Sequence, residues 1–201
     1  MTTLAALDGG TYYHQRTLRE PPFSHFFDAT IYVRDAPNAD FEQFDILFLP
    51  SRLNADLLEP LASRFVDFMG GGGTLVCMGE THPERWLPGV DATPVDTNFW
   101  WWLDPSADLG VRLTGAGELP KYLDREALTW HLHGSFSLRP GQVSLVEAEG
   151  ACIMFEEPRG AGRLIATTLD PCYHHGSYFM PATTRCLEGL LPWLKALPTR
   201  K

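Results

Sequence analysis

The sequence predicts an α/β fold with a flavodoxin-like three-layer core, in which antiparallel strands extend a parallel sheet. Two observations predict this class. Strand and helix patterns alternate through residues 3–79, which is typical of parallel βαβ units. Three strand patterns then follow one another over residues 143–170 with short connections, which favours antiparallel hairpins.

Four strands are predicted in the first half, with the patterns TLAALDGG, TIYVRD, FDILFLP and TLVCMG. FDILFLP is a continuous apolar run, as expected of a strand that is buried on both faces. RTLREPPFSHFFDA predicts a broken helical segment between the first two strands. NADLLEPLASRFVDFMGGGG predicts a helix that presents one apolar face and ends at its glycines.

The second half is predicted to be less regular. Residues 80–110 form a long proline-rich connection, and long ordered loops are often functional. A short helix is predicted in PKYLDREALTW and a strand-like segment in LTWHLHG. VSLVEA, ACIMFEE and GRLIATTLD are the hairpin strands, and DPCYHHG is expected to be extended. The final helix, MPATTRCLEGLLPWLKAL, should kink or split at Pro192.

The length, charge and cysteine content of the chain limit the classes of protein to which it can belong. The 201 residues fit one domain, 1–201, and the formal net charge of −9 disfavours nucleic acid and anionic membrane surfaces. The first residues lack the pattern of a secretion signal, and no apolar stretch has the length of a membrane span. The four cysteines form no CxxC pair and are interpreted as reduced thiols. A cytoplasmic location is therefore expected.

The order of these elements, with FDILFLP, a helix and GGGTLVCMGE, resembles the class I glutamine amidotransferase-like superfamily. RGAGRLIATTLDP followed by a last helix is similar to the closing hairpin of its ThuA-like (trehalose utilisation) branch. The non-catalytic trimerisation domain of some β-galactosidases is also similar. The resemblance implies a small polar ligand such as a carbohydrate derivative, and a homo-oligomer as one form of the protein.

The residues of glutaminase chemistry do not match at three positions. Ser51 and Arg52 stand where the superfamily has a Gly pair whose N–H groups face the oxyanion. The nucleophile position falls at Gly79, whereas Cys77 lies two residues earlier inside the strand. Asp170 occupies the place of the activating histidine. The sequence therefore predicts a member without glutaminase activity.

Ligands of an open α/β sheet bind beyond the carboxyl ends of the strands, and polar residues follow the predicted strands there. Six of the seven histidines lie in or beside this set, all except His25. Glu80 and His174 are assigned as the acid/base pair of an enzyme. The residues assigned to ligand binding after the strands are Gly10, Tyr13, His14, Ser51, Arg52, Thr81, His82, His133 and Asp170.

Three of these residues have a predicted role. Arg52 is assigned as an anion clamp, and His14 and His82 as the polar wall of the pocket. His174 and His175 are neighbours in a segment that is expected to be extended, so one should face the pocket and the other should not. His174 is chosen as the inward residue.

A metal site is weighed and not assigned, so no metal or other cofactor is predicted. His82 and His174, with Asp170 or Glu80, could supply ligands, but neither of these two histidines lies in an HxH or HExxH motif. His131 and His133 would share one face of a strand, which is interpreted as half-buried surface rather than as a pair of metal ligands.

Three successive tryptophans in NFWWWLD cannot all be buried, because a strand sends alternate side chains to opposite faces. One interpretation is an aromatic platform for a sugar-like ligand, with Trp101 assigned to ligand binding. The preferred alternative is a hydrophobic plug under the long loop or a dimer contact.

The overall hypothesis is a divergent, non-glutaminase superfamily member that binds or turns over a small polar molecule. The first alternative is a non-catalytic binding or oligomerisation domain, and the second is a metal-dependent hydrolase. Convergence of Glu80, His82 and His174 on one cavity would favour an enzyme.

Overall fold

A mixed β-sheet forms the centre of the computed structural model, which describes residues 1–95 and 108–200. In the described part the sheet has ten strands. They are β1 Leu4–Asp8, β2 Ala29–Tyr32, β3 Ile46–Leu49, β4 Thr74–Cys77, β5 Ala92–Pro94, β6 Val111–Leu113, β7 Gly134–Phe136, β8 Val143–Ala148, β9 Ala151–Arg159 and β10 Gly162–Thr167. The α-helices of these ranges are α1 Tyr12–Arg19, α2 Ala55–Leu58, α3 Ala62–Gly70, α4 Pro171–Gly176 and α5 Pro181–Ala196.

The sheet has a parallel half and an antiparallel half. The parallel strands stand in the order β2-β1-β3-β4-β10. On the far side of β10 the antiparallel strand β9 follows, and it also pairs with β7 and β8. The predicted parallel core with antiparallel additions is thus confirmed, including the β8–β9 and β9–β10 hairpins.

Helices cover both faces of the parallel half, because the central strands are apolar on both faces. On one face Phe48 and Ile165 pack in a cluster with Leu18 of α1 and Leu187 of α5. On the opposite face Leu47, Leu75 and Leu164 pack with Phe65 and Phe68 of α3. The result is an α/β sandwich in which the central sheet is the buried layer.

The two ends of the described chain meet at the amino end of the sheet. The Thr2 hydroxyl donates to the Leu197 carbonyl oxygen at 2.9 Å. Asp45, directly before β3, accepts from the Thr3 N–H at 2.7 Å and from the Arg200 N–H at 2.7 Å. These hydrogen bonds fasten the segment after α5 beside the start of β1.

The structure corrects one prediction about a proline-containing segment and part of a second. DPCYHHG is not extended, because Pro171–Gly176 form α4 with Pro171 in its first turn, where proline fits without losing a hydrogen bond. Pro192 does not split the last helix, which runs unbroken as α5 over Pro181–Ala196. Leu191, Trp193 and Leu194 around it are buried, and this packing offsets the hydrogen bond that Pro192 cannot donate.

The segment before β7 also differs from its prediction. LTWHLHG is not a strand, since β7 begins only at Gly134. PKYLDREALTW forms no α-helix; one 3-10 turn, Leu119–Lys121, overlaps its start and a second, Glu126–Leu128, lies within it. Trp130 and Leu128 of this region are buried in the core, so tertiary packing rather than backbone periodicity fixes its course.

No helix in ranges 1–95 and 108–200 combines the length and the apolar content that a membrane span requires.

The thiols should not react in the native protein. All four cysteines are buried, and burial raises the pKa of Cys77 and Cys186 and raises that of Cys172 to about 12. We expect no reaction with a soluble disulfide reagent in buffer and release of all four thiols in denaturant. Fast labelling of Cys77 in buffer would contradict its placement inside β4.

Candidate functional site

Three charged residues converge at the carboxyl ends of adjacent parallel strands. Arg52, Glu80 and Asp170 are each the third residue after their strands β3, β4 and β10. Backbone hydrogen bonds continue beyond the strands, from the Arg52 N–H to the Gly79 oxygen at 3.1 Å and from the Gly79 N–H to the Leu169 oxygen at 2.8 Å. The three turns are therefore held side by side.

Arg52 bridges the two carboxylates. Its Nε lies 2.6 Å from Glu80 Oε2 and 3.4 Å from Asp170 Oδ2. The guanidinium also lies over the Tyr173 ring, 3.6 Å from the ring centroid. Since both carboxylates already balance this guanidinium, the expected anion clamp is occupied by the protein's own acids.

Three histidines surround the carboxylate of Asp170, which is fully buried. His133 Nε2 lies 3.2 Å from Asp170 Oδ2, and His133 Nδ1 lies 3.8 Å from Glu80 Oε1. His174 Nε2 lies 3.2 Å from Asp170 Oδ1 and 3.1 Å from His131 Nε2. One ligand-type atom from each of these four residues lies within 4.8 Å of the others, so they are the residues that could hold a metal ion.

The charges within this cluster follow from burial and proximity. Burial favours a protonated Asp170, but close contact with His133 and His174 outweighs it and holds the carboxyl pKa well below its usual value. Burial lowers the pKa of His131 to about 4. Burial acts in the same direction on His133, yet the Asp170 carboxylate raises the pKa of His133 overall. Near neutral pH the cluster thus contains an ionised carboxylate and a neutral His131 ring.

A cleft of about 260 Å³ opens beside Glu80 and His133. His174 is buried behind His133 and does not border this cleft. The other residues around it are His82, Pro83, Glu84, Ala92, Thr93, Pro94, Gly134, Phe136, Thr167 and Thr168. The cleft combines carboxylates, hydroxyls and imidazoles with a larger apolar wall that includes Phe136, and this mixture suits a small molecule with hydroxyl groups.

The two residues predicted as the acid/base pair, Glu80 and His174, do not both reach the cleft. Glu80 reaches the cleft, whereas His174 lies beneath it in contact with Asp170. His174 and His175 do leave the chain in different directions, but as neighbours on α4 rather than in an extended segment. His175 Nδ1 pairs with the Thr184 hydroxyl at 2.9 Å, and its ring packs against Phe23.

Several residues assigned to ligand binding have structural partners instead. His14 is fully buried, accepts from the Gly9 N–H at 3.0 Å through Nδ1, and donates to the Ser51 oxygen at 2.9 Å through Nε2. The buried Thr81 hydroxyl donates to the Met78 oxygen at 2.7 Å. These contacts hold the turns after β1, β3 and β4 in place, so His14 does not form the predicted polar wall.

The other residues assigned to ligand binding do not belong to the cluster around Asp170. Tyr13 packs against Tyr173, with ring centroids 5.1 Å apart, and so supports the ring beneath Arg52. Gly10 donates its N–H to Asp8 Oδ1 at 2.8 Å. His82 borders the cleft and pairs with Glu84 Oε1 at 3.0 Å. Trp101 lies outside the described residues.

The sequence interpretation set His131 aside as a ligand, yet it belongs to the cluster. His131 and His133 precede β7 in an irregular segment, and their ring centroids are 5.1 Å apart. Their i, i+2 spacing is the one signal in the sequence for a shared site, and it predicts a strand face that the structure does not contain.

The end of β4 has no room for a nucleophile at the position predicted for it. A Cβ atom on Gly79 would lie 2.5 Å from the Thr168 carbonyl oxygen, closer than real contacts allow. The next residue, Glu80, has a left-handed backbone with φ of 59°. The strained turn after β4 therefore presents a carboxylate to the cleft, and Cys77 stays buried inside the strand.

No protein-family model matches the sequence. No curated protein matches it either. Among solved structures, the cytoplasmic protein STM3548 from Salmonella typhimurium is similar over 100% of both chains, with a TM-score of 0.62 and 10% identity. The cytoplasmic protein STM1381 from Salmonella typhimurium LT2 matches with a TM-score of 0.57 and 13% identity, over 96% of this chain and 99% of that one.

A β-galactosidase from Rahnella sp. R3 contains a similar region. The TM-score is 0.55 at 13% identity, and the match covers 99% of this chain and 32% of the β-galactosidase. This chain thus spans about a third of that enzyme. At such identities the likeness shows that the chains share a fold, and activity has to be argued from the site.

Replacing His14 should destabilise the protein. In His14→Ala the Gly9 N–H and the buried Ser51 oxygen lose their partner, which costs about 1–3 kcal/mol. We expect this loss in the free energy of unfolding measured with urea near neutral pH. Replacement of the exposed His25 by alanine is the matched control, and an equal effect of both substitutions would contradict the structural role.

The contribution of His14 should also depend on pH. Burial is the main cause that lowers its pKa from 6.5, so the unfolded chain takes up the proton first as the pH falls. The stability that depends on His14 is therefore present above pH 6.5 and lost below it. We expect the difference between the native chain and His14→Ala to shrink from about pH 7.5 to about pH 5.5. A constant difference would show that His14 titrates normally.

Proposed function

We propose that this chain binds and turns over a small, neutral, hydroxyl-rich molecule, such as a carbohydrate derivative, in the cleft beside Glu80. The observation that carries the proposal is the arrangement of Arg52, Glu80 and Asp170 after adjacent strands, with Glu80 and His133 on the cleft. A volume of about 260 Å³ admits one molecule of roughly monosaccharide size.

The charge around the cleft supports a neutral rather than an anionic ligand. Glu80 and Glu84 both border it, and the nearby guanidinium of Arg52 is already paired with two carboxylates. Among the described residues no lysine or arginine borders the cleft, so an anionic ligand would face these acids, whereas hydroxyl groups can donate to carboxylate oxygens.

Glu80 is the proposed acid/base residue. Its carboxylate reaches the cleft from a left-handed turn and is fixed by Arg52 at 2.6 Å, so it is positioned to accept a proton from a bound hydroxyl. His133 contacts the ligand from the adjoining wall. His174 positions Asp170 from below instead of touching the ligand, which revises its expected role as the partner of Glu80.

For the fold, the proposal specifies a flavodoxin-like, class I glutamine amidotransferase-like domain over residues 1–201, nearest the ThuA-like branch. The strand order β2-β1-β3-β4-β10 supports it, since flavodoxin-like sheets have the order 2-1-3-4-5. The two similar Salmonella proteins are both named as cytoplasmic proteins, which supports a cytoplasmic location.

Neutral sugars should bind, and Glu80 should be required. We expect a panel of neutral mono- and disaccharides to contain ligands detectable by saturation-transfer NMR, with the corresponding sugar acids binding more weakly. Glu80→Gln should weaken binding about tenfold or more, because it removes a charged hydrogen-bond acceptor. The control is Glu188→Gln, an exposed carboxylate on α5. Preference for the sugar acids, or full affinity in Glu80→Gln, would refute the proposal.

Glutaminase activity should be absent. Gly79 has no room for a nucleophile, and burial raises the pKa of the Cys77 thiol. Incubation with glutamine should therefore release no ammonia above the rate without protein. Ammonia release that disappears in Cys77→Ser would overturn this prediction.

A second candidate is a non-catalytic assembly domain that forms homo-oligomers. The similarity of nearly the whole chain to about a third of the Rahnella β-galactosidase favours it. Light scattering coupled to size exclusion tests this candidate. If the chain is an oligomer that binds no sugar, the result supports a role in assembly. If it is a monomer that binds sugars, the result excludes oligomerisation as the function of this chain.

A further inference from the structure

We propose that His131, His133, Asp170 and His174 bind one divalent ion of the later first-row transition metals, with Zn²⁺ as the ion of choice. This inference goes beyond the sugar-binding proposal and does not depend on it. It rests on the geometry of the four side chains beneath the cleft.

The types of ligand fit such an ion. Three imidazoles and one carboxylate favour zinc and its neighbours, whereas Mg²⁺ and Ca²⁺ prefer sites built from oxygen. The four ligand atoms lie within 4.8 Å of one another. His131, Asp170 and His174 are buried, and His133 borders the cleft. The site would thus be shielded from solvent on most sides and open toward the cleft.

The distances also fit a shared ion. Bonds of about 2.0–2.1 Å to a tetrahedral zinc place neighbouring ligand atoms about 3.3 Å apart. His174 Nε2 lies 3.1 Å from His131 Nε2 and 3.2 Å from Asp170 Oδ1. The third imidazole, His133, approaches the other oxygen of the same carboxylate at 3.2 Å.

A network of hydrogen bonds alone accounts less well for these contacts. His174 Nε2 carries at most one proton, yet both His131 Nε2 and Asp170 Oδ1 lie within 3.2 Å of it. In the described part of the chain, Asp170 Oδ1 has no donor with hydrogen-bond geometry, although the residue is fully buried. A buried carboxylate oxygen without a donor is costly, and a cation among the four side chains would satisfy it.

The surroundings supply an outer partner for the carboxylate. Arg52 Nε donates to Asp170 Oδ2 at 3.4 Å, which leaves Oδ1 directed at His174. Metal-binding carboxylates are commonly oriented by such a second hydrogen bond. Arg52 is itself fixed by Glu80 and Tyr173, so the orientation of Asp170 is set from outside the cluster.

The test measures metal binding directly. The purified chain is stripped with a chelator and titrated calorimetrically with Zn²⁺, Co²⁺, Mg²⁺ or Ca²⁺. We expect one equivalent of Zn²⁺ or Co²⁺ to bind and to raise the unfolding temperature, with no effect of Mg²⁺ or Ca²⁺. His131→Gln and His174→Gln should each weaken Zn²⁺ binding by about 100-fold or more, beyond the loss typical of outer partners. His25→Gln, at an exposed histidine, should leave it unchanged.

The opposite results would overturn the proposal. They are the absence of a one-to-one site for Zn²⁺, a site that survives both substitutions, or equal binding of Mg²⁺. If the substituted chains fail to unfold cooperatively, the visible spectrum of Co²⁺ with the native chain decides. Absorption bands of four- or five-coordinate Co²⁺ bound by imidazole nitrogens would support the site. The spectrum of hexahydrated Co²⁺ would refute it. Because these experiments contain no sugar, their failure leaves the sugar-binding proposal to its own test.

Discussion

The arrangement beyond the strand ends depends on a single buried charge. The carboxylate of Asp170 is withdrawn completely from water, which is costly unless cationic or hydrogen-bonding groups surround it. Arg52 comes from the turn after β3, His133 from the segment before β7, and His174 from α4. Three separate parts of the chain are thereby drawn to one point, and Glu80 is fixed through its contact with Arg52.

The sheet makes this convergence geometrically possible. β3, β4 and β10 are neighbours and parallel, so the residues that follow them emerge at the same edge. Gly79 keeps the turns close, because its missing side chain lets the chain after β4 approach the Thr168 and Leu169 carbonyl groups. The same closeness that brings Glu80 next to Asp170 excludes a nucleophilic side chain at Gly79. The chemistry of this edge is consequently that of carboxylates and imidazoles.

The central strands could be predicted because their residues are apolar on both faces, as in FDILFLP, and because short turns demand antiparallel neighbours. β5 and β6 escaped prediction, since three residues cannot show a periodicity and β5 ends in Pro94. The helix α4 was not predicted either, because its six residues, PCYHHG, are too few to show a helical pattern. The edge of the sheet that carries the polar cluster followed from topology, and Asp170 and His133 were among the residues chosen there. The role of His131 could not follow, because its position depends on how an irregular segment packs around Trp130.

The hydrogen bonds from Thr2 to Leu197, and from the N–H groups of Thr3 and Arg200 to Asp45, lie at the edge of the sheet opposite the cleft. Residues near Thr2 and residues near Leu197 are thus neighbours, on the side of the sheet away from the cleft. A domain with this arrangement can be inserted into a longer polypeptide at a single position, with both connections on the side away from its cleft. One scaffold can therefore serve as an independent protein or as a portion of a larger one.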